Sequence, residues 1–182
     1  MNKSRIEKIP IEYFDYFENI YLNFNQVRTA IDILVENVNG GGFHFESPEG
    51  MEPNQSEKLI TFVNDFSKKI KLPKLLYKIT TEIMVFGNSY IEKVEKGSNP
   101  IAEVNLLNPK TIAILTNEKQ KLVGYAEVKN TEILRQFGIN QIVHFKNLML
   151  PLLGKGWYGR SQIEVFVSKL KEKFKIKDIP SF

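Results

Sequence analysis

The chain has 182 residues, of which 42% are hydrophobic and 25% charged, and this composition is typical of a globular domain rather than a disordered chain. It contains no cysteine, which excludes disulfides, thiolate zinc ligands and cysteine nucleophiles. The formal net charge of +4 is too small to identify a nucleic-acid-binding protein, and no apolar run approaches the roughly 20 residues of a membrane-spanning helix.

The first predicted element, within residues 9–22, is rich in aromatic side chains. Phe14, Phe17 and Tyr21 recur at i, i+3 and i+7, which is the spacing of one face of a short helix. Such an arm packs either on its own domain or on a neighbouring molecule, and the sequence leaves both open. We therefore divide the chain into an N-terminal arm (residues 1–23), a main domain (residues 24–176) and a tail (residues 177–182).

A second helix is predicted from an amphipathic stripe of apolar residues. The stripe consists of Val27, Ala30, Ile31, Leu34, Val35 and Val38. Gly40-Gly41-Gly42 is expected to end this helix, because glycine readily adopts the left-handed conformation found there. Phe43-His44-Phe45 then predicts a short strand.

Two further helices are predicted before the strands begin. Asn54 with Glu57 indicates a helix start, and the expected buried face consists of Leu59, Phe62, Val63, Phe66 and Ile70. Pro73 suits the first turn of the next helix. Its core-facing residues are Leu75, Leu76, Ile79, Ile83 and Phe86. Gly87-Asn88 is expected to end it.

After Asn88 the apolar period changes to about two, which indicates strands. The predicted strands are residues 89–94, 103–107, 111–115, 122–128 and 140–145, and residues 133–137 form either a strand or one helical turn. Turns are expected at residues 97–100, 108–109 and 116–119. Helices followed by a meander of strands predict an α+β fold, closed by a C-terminal helix.

The C-terminal helix begins with a capping box, Ser161-Gln162-Ile163-Glu164. Its apolar stripe consists of Ile163, Phe166, Val167, Leu170 and Phe174. A run of lysines follows the same segment: Lys169, Lys171, Lys173, Lys175 and Lys177. Such a run is usually a solvated face, and its alternative role is contact with nucleic acid.

The sequence contains no recognisable catalytic or metal-binding motif. His44 and His144 each stand alone, which favours packing or edge positions over metal ligation. Gly154-Lys155-Gly156 lacks the spacing of a phosphate loop and is expected to be a connector. Periodicity places the carboxylates of Asp65, Glu82 and Glu92 on exposed faces. The expectation is a non-enzymatic protein without a cofactor.

Three stretches, in this order, resemble the portal proteins of tailed phages. The first is Val27-Arg28-Thr29-Ala30-Ile31-Asp32, followed by Val38-Asn39. The second is Glu82-Ile83-Met84-Val85-Phe86-Gly87-Asn88-Ser89-Tyr90-Ile91-Glu92, in which Gly-Asn-x-Tyr leads from a helix into a strand. The third is Gly156-Trp157-Tyr158-Gly159-Arg160-Ser161, which is similar to the family's Gly-x-Ser step into a helix.

Two shorter stretches between these also resemble the family. They are Leu106-Leu107-Asn108-Pro109 and Ile142-Val143-His144-Phe145. Together the five stretches cover about residues 25–175, which corresponds to the outer body of a portal subunit, called the wing. The structural junctions implied by the resemblance are Gly87, Asn88, Tyr90, Gly159 and Ser161.

The resemblance implies a structural protein of a virus or provirus, located in the virion or the host cytoplasm. Portal proteins form a ring through which DNA is packaged and ejected, and terminase and head-tail connector proteins dock on that ring. The chain is shorter than full portals, so it is expected to be incomplete through gene decay, gene splitting or fragmentation. The competing hypothesis is a small basic nucleic-acid-binding module that uses the lysine run from Lys169 to Lys177.

Overall fold

A computed structural model describes residues 5–6, 11–97, 99–130, 132–147 and 156–174. Its helices are α1 (Ile11–Asn23), α2 (Asn25–Gly40), α3 (Pro53–Lys69), α4 (Leu72–Phe86) and α5 (Gln162–Phe174). Its strands are β1 (Arg5–Ile6), β2 (Asn88–Lys96), β3 (Asn99–Leu107), β4 (Ile112–Thr116), β5 (Leu122–Lys129), β6 (Glu132–Gly138) and β7 (Ile142–Lys146). The predicted α+β class is confirmed.

The strands form two antiparallel sheets. One has the order β1-β4-β5-β6 and the other the order β3-β2-β7. Residues 133–137, for which strand and helix were both open, lie in β6. Strand β2 lies at the centre of its sheet, since Tyr90 pairs with Leu107 on one side and with His144 on the other.

Strand β4 separates two hydrophobic cores because its side chains alternate between opposite faces of its sheet. Ala113 and Leu115 lie in the core that the helices share, whereas Ile112 and Ile114 lie in a second core with residues from both sheets. All five β4 residues are buried. The four-stranded sheet is therefore covered by helices on one face and by the other sheet on the opposite face.

Helix α1 belongs to the helical core of its own chain. Phe14, Phe17 and Ile20 are buried there against residues of α2 and α4, and the Phe14 ring meets that of Phe86 edge-on with centroids 5.6 Å apart. Lys110, in the turn before β4, also donates to Asp15 and Glu18 of α1 at 2.9 and 2.7 Å. The choice left open for the N-terminal segment is thus decided in favour of packing on its own domain.

Helices α2 and α4 begin and end close to the predicted positions. Gly42, with φ of 66°, supplies the left-handed residue after α2. Pro73 lies in the first turn of α4, and Ile79 and Phe86 point into the core. The start and end of both helices are therefore determined largely by residues close to them in the sequence.

Two local predictions are wrong. Residues 43–45 do not form a strand; the Phe43 and Phe45 rings contact each other instead, with centroids 5.3 Å apart. The expected buried face of α3 is also only partly buried: Phe62 is 68% exposed, and the other four residues of the face are half-buried. In both cases the apolar pattern is present, but little of the described chain packs over it, and α3 makes only a slight contact with α4.

Within the described residues, none of the helices combines the length and apolar character needed to cross a membrane.

Candidate functional site

The junction between α4 and β2 lies directly against the segment that leads into α5. Gly87 has φ of 74°, and a Cβ atom there would come within 2.5 Å of the Arg160 carbonyl carbon and the Gly159 oxygen. A Cβ atom at Gly159 would lie 2.1 Å from the Gly87 oxygen. Both positions therefore require glycine, because the two backbones touch where a side chain would begin.

Asn88 holds the two segments together through its side-chain amide. Its Nδ2 donates to the Phe86 and Gly159 carbonyls at 2.9 and 3.2 Å, and its Oδ1 accepts from the Gly159 amide at 2.7 Å. The same Oδ1 lies 3.1 Å from His144 Nε2, which must donate because an amide oxygen only accepts. Asn88 is fully buried, so this network satisfies the polar atoms of its side chain.

Two further residues attach the start of α5 to the end of α4. The Asn147 amide donates to the Gly87 oxygen at 2.9 Å, and its side chain donates to the Arg160 oxygen at 3.0 Å. The Ser161 hydroxyl donates to the Met84 carbonyl at 3.3 Å and accepts from the Ile163 amide at 3.0 Å. The Ser161 hydroxyl consequently caps the N-terminus of α5 and, together with Asn147, anchors it to the end of α4.

The capping box is formed only in part. Ser161 caps the helix as predicted, but the Glu164 carboxylate contacts the Arg160 guanidinium. A guanidinium offers several donors in a fixed plane, so it competes strongly with a backbone amide for a carboxylate. The ion pair therefore takes the place expected for the carboxylate's bond to the helix N-terminus.

Tyr90, the remaining junction residue predicted from sequence, lies in the second core beside this network. Its ring stacks on that of His144 with centroids 4.3 Å apart, and Tyr125 meets both rings edge-on. Burial lowers the pKa of His144 to about 4, so the imidazole is neutral at neutral pH. The expectation of a packing histidine is confirmed for His144, while His44 is exposed and pairs with Glu46 at 2.7 Å.

The Tyr90 hydroxyl is fully buried and has no hydrogen-bond partner among the described atoms. Burial raises the pKa of Tyr90 well above its ordinary value, so the hydroxyl stays protonated. The Tyr90 ring therefore packs, with its hydroxyl protonated, against the rings of Tyr125 and His144.

Two of the three carboxylates that were predicted to be exposed are partly covered. The Glu82 carboxylate accepts from the Ser89 hydroxyl at 2.6 Å, and its burial raises its pKa to about 7. Glu92 is held 3.2 Å from Arg135 and is mostly covered. Asp65 is exposed as expected. Helical and strand periodicity identified the outer face of each element, but not the neighbouring element that lies over it.

The predicted lysine contacts are only partly within the described residues. Lys169 is exposed on α5, Lys171 and Lys173 lie further along the same helix, and Lys175 and Lys177 lie outside the described residues. Positions two residues apart in a helix are separated by roughly 200° around its axis. Lys173, four residues after Lys169, falls on nearly the same side of the helix and Lys171 does not, and nucleic-acid contact through these lysines stays a prediction.

No group of three metal-ligating side chains occurs in the described part of the chain. One open groove of about 300 Å³ lies between α2 and α5. It is lined by Gln26, Val27, Ala30, Ile31, Leu34, Gln162, Ile163 and Phe166. Since no charged side chain lines it, the groove fits an apolar occupant.

Sequence reasoning placed Gly87, Asn88, Gly159 and Ser161 at element junctions, and the structure brings these four together. It missed that His144 and Asn147 belong to the same network. A weak signal for both was present, since a lone histidine and an asparagine near the end of a strand suit polar contacts there. That Asn88 meets Gly159, 71 residues further along the chain, could not be deduced from local patterns.

No family model matches the chain, and no curated protein matches it in sequence. Solved structures do match in fold. They include chains from the neck of an empty gene transfer agent particle computed with C6 symmetry (TM-score 0.67, 16% identity), the virion of a native gene transfer agent particle (0.60, 14%) and the neck of a native particle computed with C12 symmetry (0.55, 16%). Each match covers 97% of this chain and 49–50% of the other, so the chain spans about half the length of those it resembles.

Proposed function

We propose that this chain is the wing-type half of a portal-type protein, a structural component of the neck of a virus, provirus or gene transfer particle. The observation that carries the proposal is the match of 97% of the chain to half of a chain from a gene transfer agent particle neck, with a TM-score of 0.67. Because the likeness extends over nearly every element, it supports a common architecture rather than a shared local motif.

The junction of α4, β2 and α5 supports the same proposal. Two of the five stretches that resemble portal proteins are a Gly-Asn-x-Tyr exit from a helix and a Gly-x-Ser entry into another, and in this fold the two steps touch at Gly87 and Gly159. A junction fixed by backbone contact and by the Asn88 amide suits a body that transmits force without changing shape. The role proposed is therefore mechanical and not enzymatic.

The partners that follow from this proposal are other copies of the subunit arranged in a ring, the terminase motor, head-tail connector proteins and the DNA that passes through the ring. The chain contributes the outer body of the subunit. The channel would be built by the half of the subunit that this chain does not span. Any ATP hydrolysis would come from the motor.

The test is to delete the gene in the cell that encodes it and to purify the particles that are released. We expect particles or proheads that lack nuclease-protected DNA, and restoration of DNA content when the intact gene is supplied from a plasmid. Antibody against the chain should label one vertex of complemented particles in electron micrographs. DNA-filled particles in the deletion strain, or complemented particles that lack the chain, would contradict the proposal.

A further inference from the structure

Two apolar surfaces of the described chain are left open, and they differ in shape. One is the α3 ridge, formed by Leu59, Phe62, Val63 and Phe66. The Phe62 and Phe66 rings stack with centroids 6.4 Å apart, and Phe62 is 68% exposed. Helix α3 has its main element contact with α4, and that contact is slight compared with the packing of α2 on α4.

The other surface is the α2/α5 groove, the 300 Å³ groove described above. Leu34 and Phe166 line it and are exposed by 47% and 46%. The α3 ridge has the i, i+3, i+4, i+7 spacing with which an amphipathic helix binds an apolar groove. Neither surface has a charged side chain at its centre, so bringing them together buries apolar area without the cost of desolvating a charge.

The two surfaces are connected to opposite ends of α4. The α3 ridge joins α4 through the turn at Ile70 and Lys71, at its N-terminal end. The α2/α5 groove includes Ile163, which Ser161 anchors to Met84 near the C-terminal end of α4. Two different complementary surfaces on one subunit produce head-to-tail association, which closes into a ring when the rotation between subunits permits.

We propose that the α3 ridge of one copy of this chain docks in the α2/α5 groove of a second copy. This inference rests on the proposed function, because the matched neck structures were computed with C6 and C12 symmetry and a ring of identical subunits needs such a pair of surfaces. A second copy presents a ridge of the required length and polarity. The groove accepts its aromatic side chains between α2 and α5.

The test uses one variant for each surface, Phe62→Asp for the ridge and Leu34→Asp for the groove. We expect the wild-type chain to self-associate as its concentration rises in sedimentation velocity. Each variant should raise the dissociation constant by at least about ten-fold, because it buries a charge in an apolar contact. Leu134→Asp is the matched control, since Leu134 is 54% exposed on β6 outside both surfaces, and it should associate like the wild type.

Mixing the two variants separates head-to-tail docking from other modes. Phe62→Asp keeps an intact groove and Leu34→Asp an intact ridge, so an equimolar mixture with one partner isotopically labelled should give a one-to-one heterodimer in native mass spectrometry. If Leu34→Asp still associates and Phe62→Asp is not rescued by mixing, α3 pairs with α3 and the proposal is wrong. A wild-type chain that stays monomeric at every concentration would also overturn it, while leaving the particle experiment as the independent test of function.

Cross-linking provides a second measurement that does not depend on how the charged variants fold. The chain has no cysteine, so a Phe62→Cys, Leu34→Cys double variant contains two thiols. Under mild oxidation it should form covalent oligomers, because each ridge thiol meets the groove thiol of another copy. The Phe62→Cys, Leu134→Cys variant should not form them, and equal ladders from both double variants would contradict the docking.

Discussion

At the scale of single residues, Gly87 is the position where a side chain is least tolerable. Gly87→Ala combines a left-handed backbone with a Cβ atom 2.5 Å from backbone atoms of Gly159 and Arg160, neither of which can turn aside as a side chain would. We expect a loss of more than about 3 kcal/mol of unfolding free energy. Gly97→Ala is the control: φ is 59° there and nothing lies within 4 Å, so the loss should be about 1 kcal/mol. Urea unfolding of both variants measures the difference, and equal losses would show that the contact with Gly159 does not matter.

Two buried titratable groups give opposite pH dependences. Glu82 has a pKa of about 7, raised from 4.5 chiefly by burial, so above pH 4.5 the folded state binds more protons than the unfolded state. Its contribution to stability therefore falls as the pH rises through about 7. Burial lowers the pKa of His144 from 6.5 to about 4, so between these values the unfolded state binds more protons. The contribution of His144 therefore rises with pH over that range, and the two effects partly cancel.

Glu82→Gln removes the pH dependence of stability that comes from Glu82 and leaves the one that comes from His144. We expect the stability of the variant to rise more steeply with pH than that of the wild type between about pH 4.5 and 6.5. The unfolding free energy of the variant should exceed that of the wild type by an amount that grows up to about pH 8 and reaches at most about 3 kcal/mol. Urea midpoints at a series of pH values measure this, with Glu118→Gln in an exposed turn as the control for loss of one negative charge. An advantage that does not vary with pH would show that Glu82 titrates alike in both states.

At the scale of elements, the Ser161 hydroxyl both caps α5 and bonds it to α4. Ser161→Ala removes both the cap on the Ile163 amide and the bond to the Met84 carbonyl. We expect a loss of about 1–2 kcal/mol, with faster hydrogen exchange in the first turn of α5. Ser168→Ala is the control, since that hydroxyl bonds to Glu164 within the same helix and holds no other element. Its effect should stay within about 0.5 kcal/mol, and a similar loss in both variants would argue against the anchoring role.

The elements that sequence predicted well are those whose signals are local. The stripes of α2 and α4, the left-handed exit at Gly87 and the Ser161 cap all depend on residues within a few positions of each other. Residues 43–45 have strand-forming side chains, but no strand pairs with them. A strand requires a partner edge, which a local pattern does not supply.

The order of strands and the junction of α4 with α5 were beyond sequence reasoning for the same reason. Strand β2 pairs with β7 as well as with its neighbour β3, and Asn88 bonds to Gly159. Both contacts join residues at least 50 positions apart, and local patterns do not distinguish such a pairing from its alternatives. Helix α3 is the informative case: its apolar stripe was recognised, but nothing in the sequence shows whether such a face meets the chain's own core or another subunit.

At the scale of the whole molecule, helix α1 of the N-terminal segment contributes to the helical core of the domain. Phe14, Phe17 and Ile20 of α1 lie in the same core as Val35 and Val85. An aromatic side chain that fills a core leaves a cavity when it is removed, and the surrounding helices close such a cavity only in part. The division of the chain at residue 23 can therefore be tested by stability.

We expect a chain that begins at residue 24 to lose cooperative unfolding and to bind a hydrophobic dye, because removing α1 uncovers apolar surface of α2, α4 and β4. A milder pair of variants makes the comparison quantitative. Phe17→Ala should cost about 3–5 kcal/mol, whereas Leu22→Ala, one turn later on the same helix and 55% exposed, should cost less than about 1 kcal/mol. Urea unfolding measures both. If the shortened chain unfolds as cooperatively as the full one and Phe17→Ala behaves like Leu22→Ala, residues 1–23 are a separable arm, and the core of the subunit is complete without them.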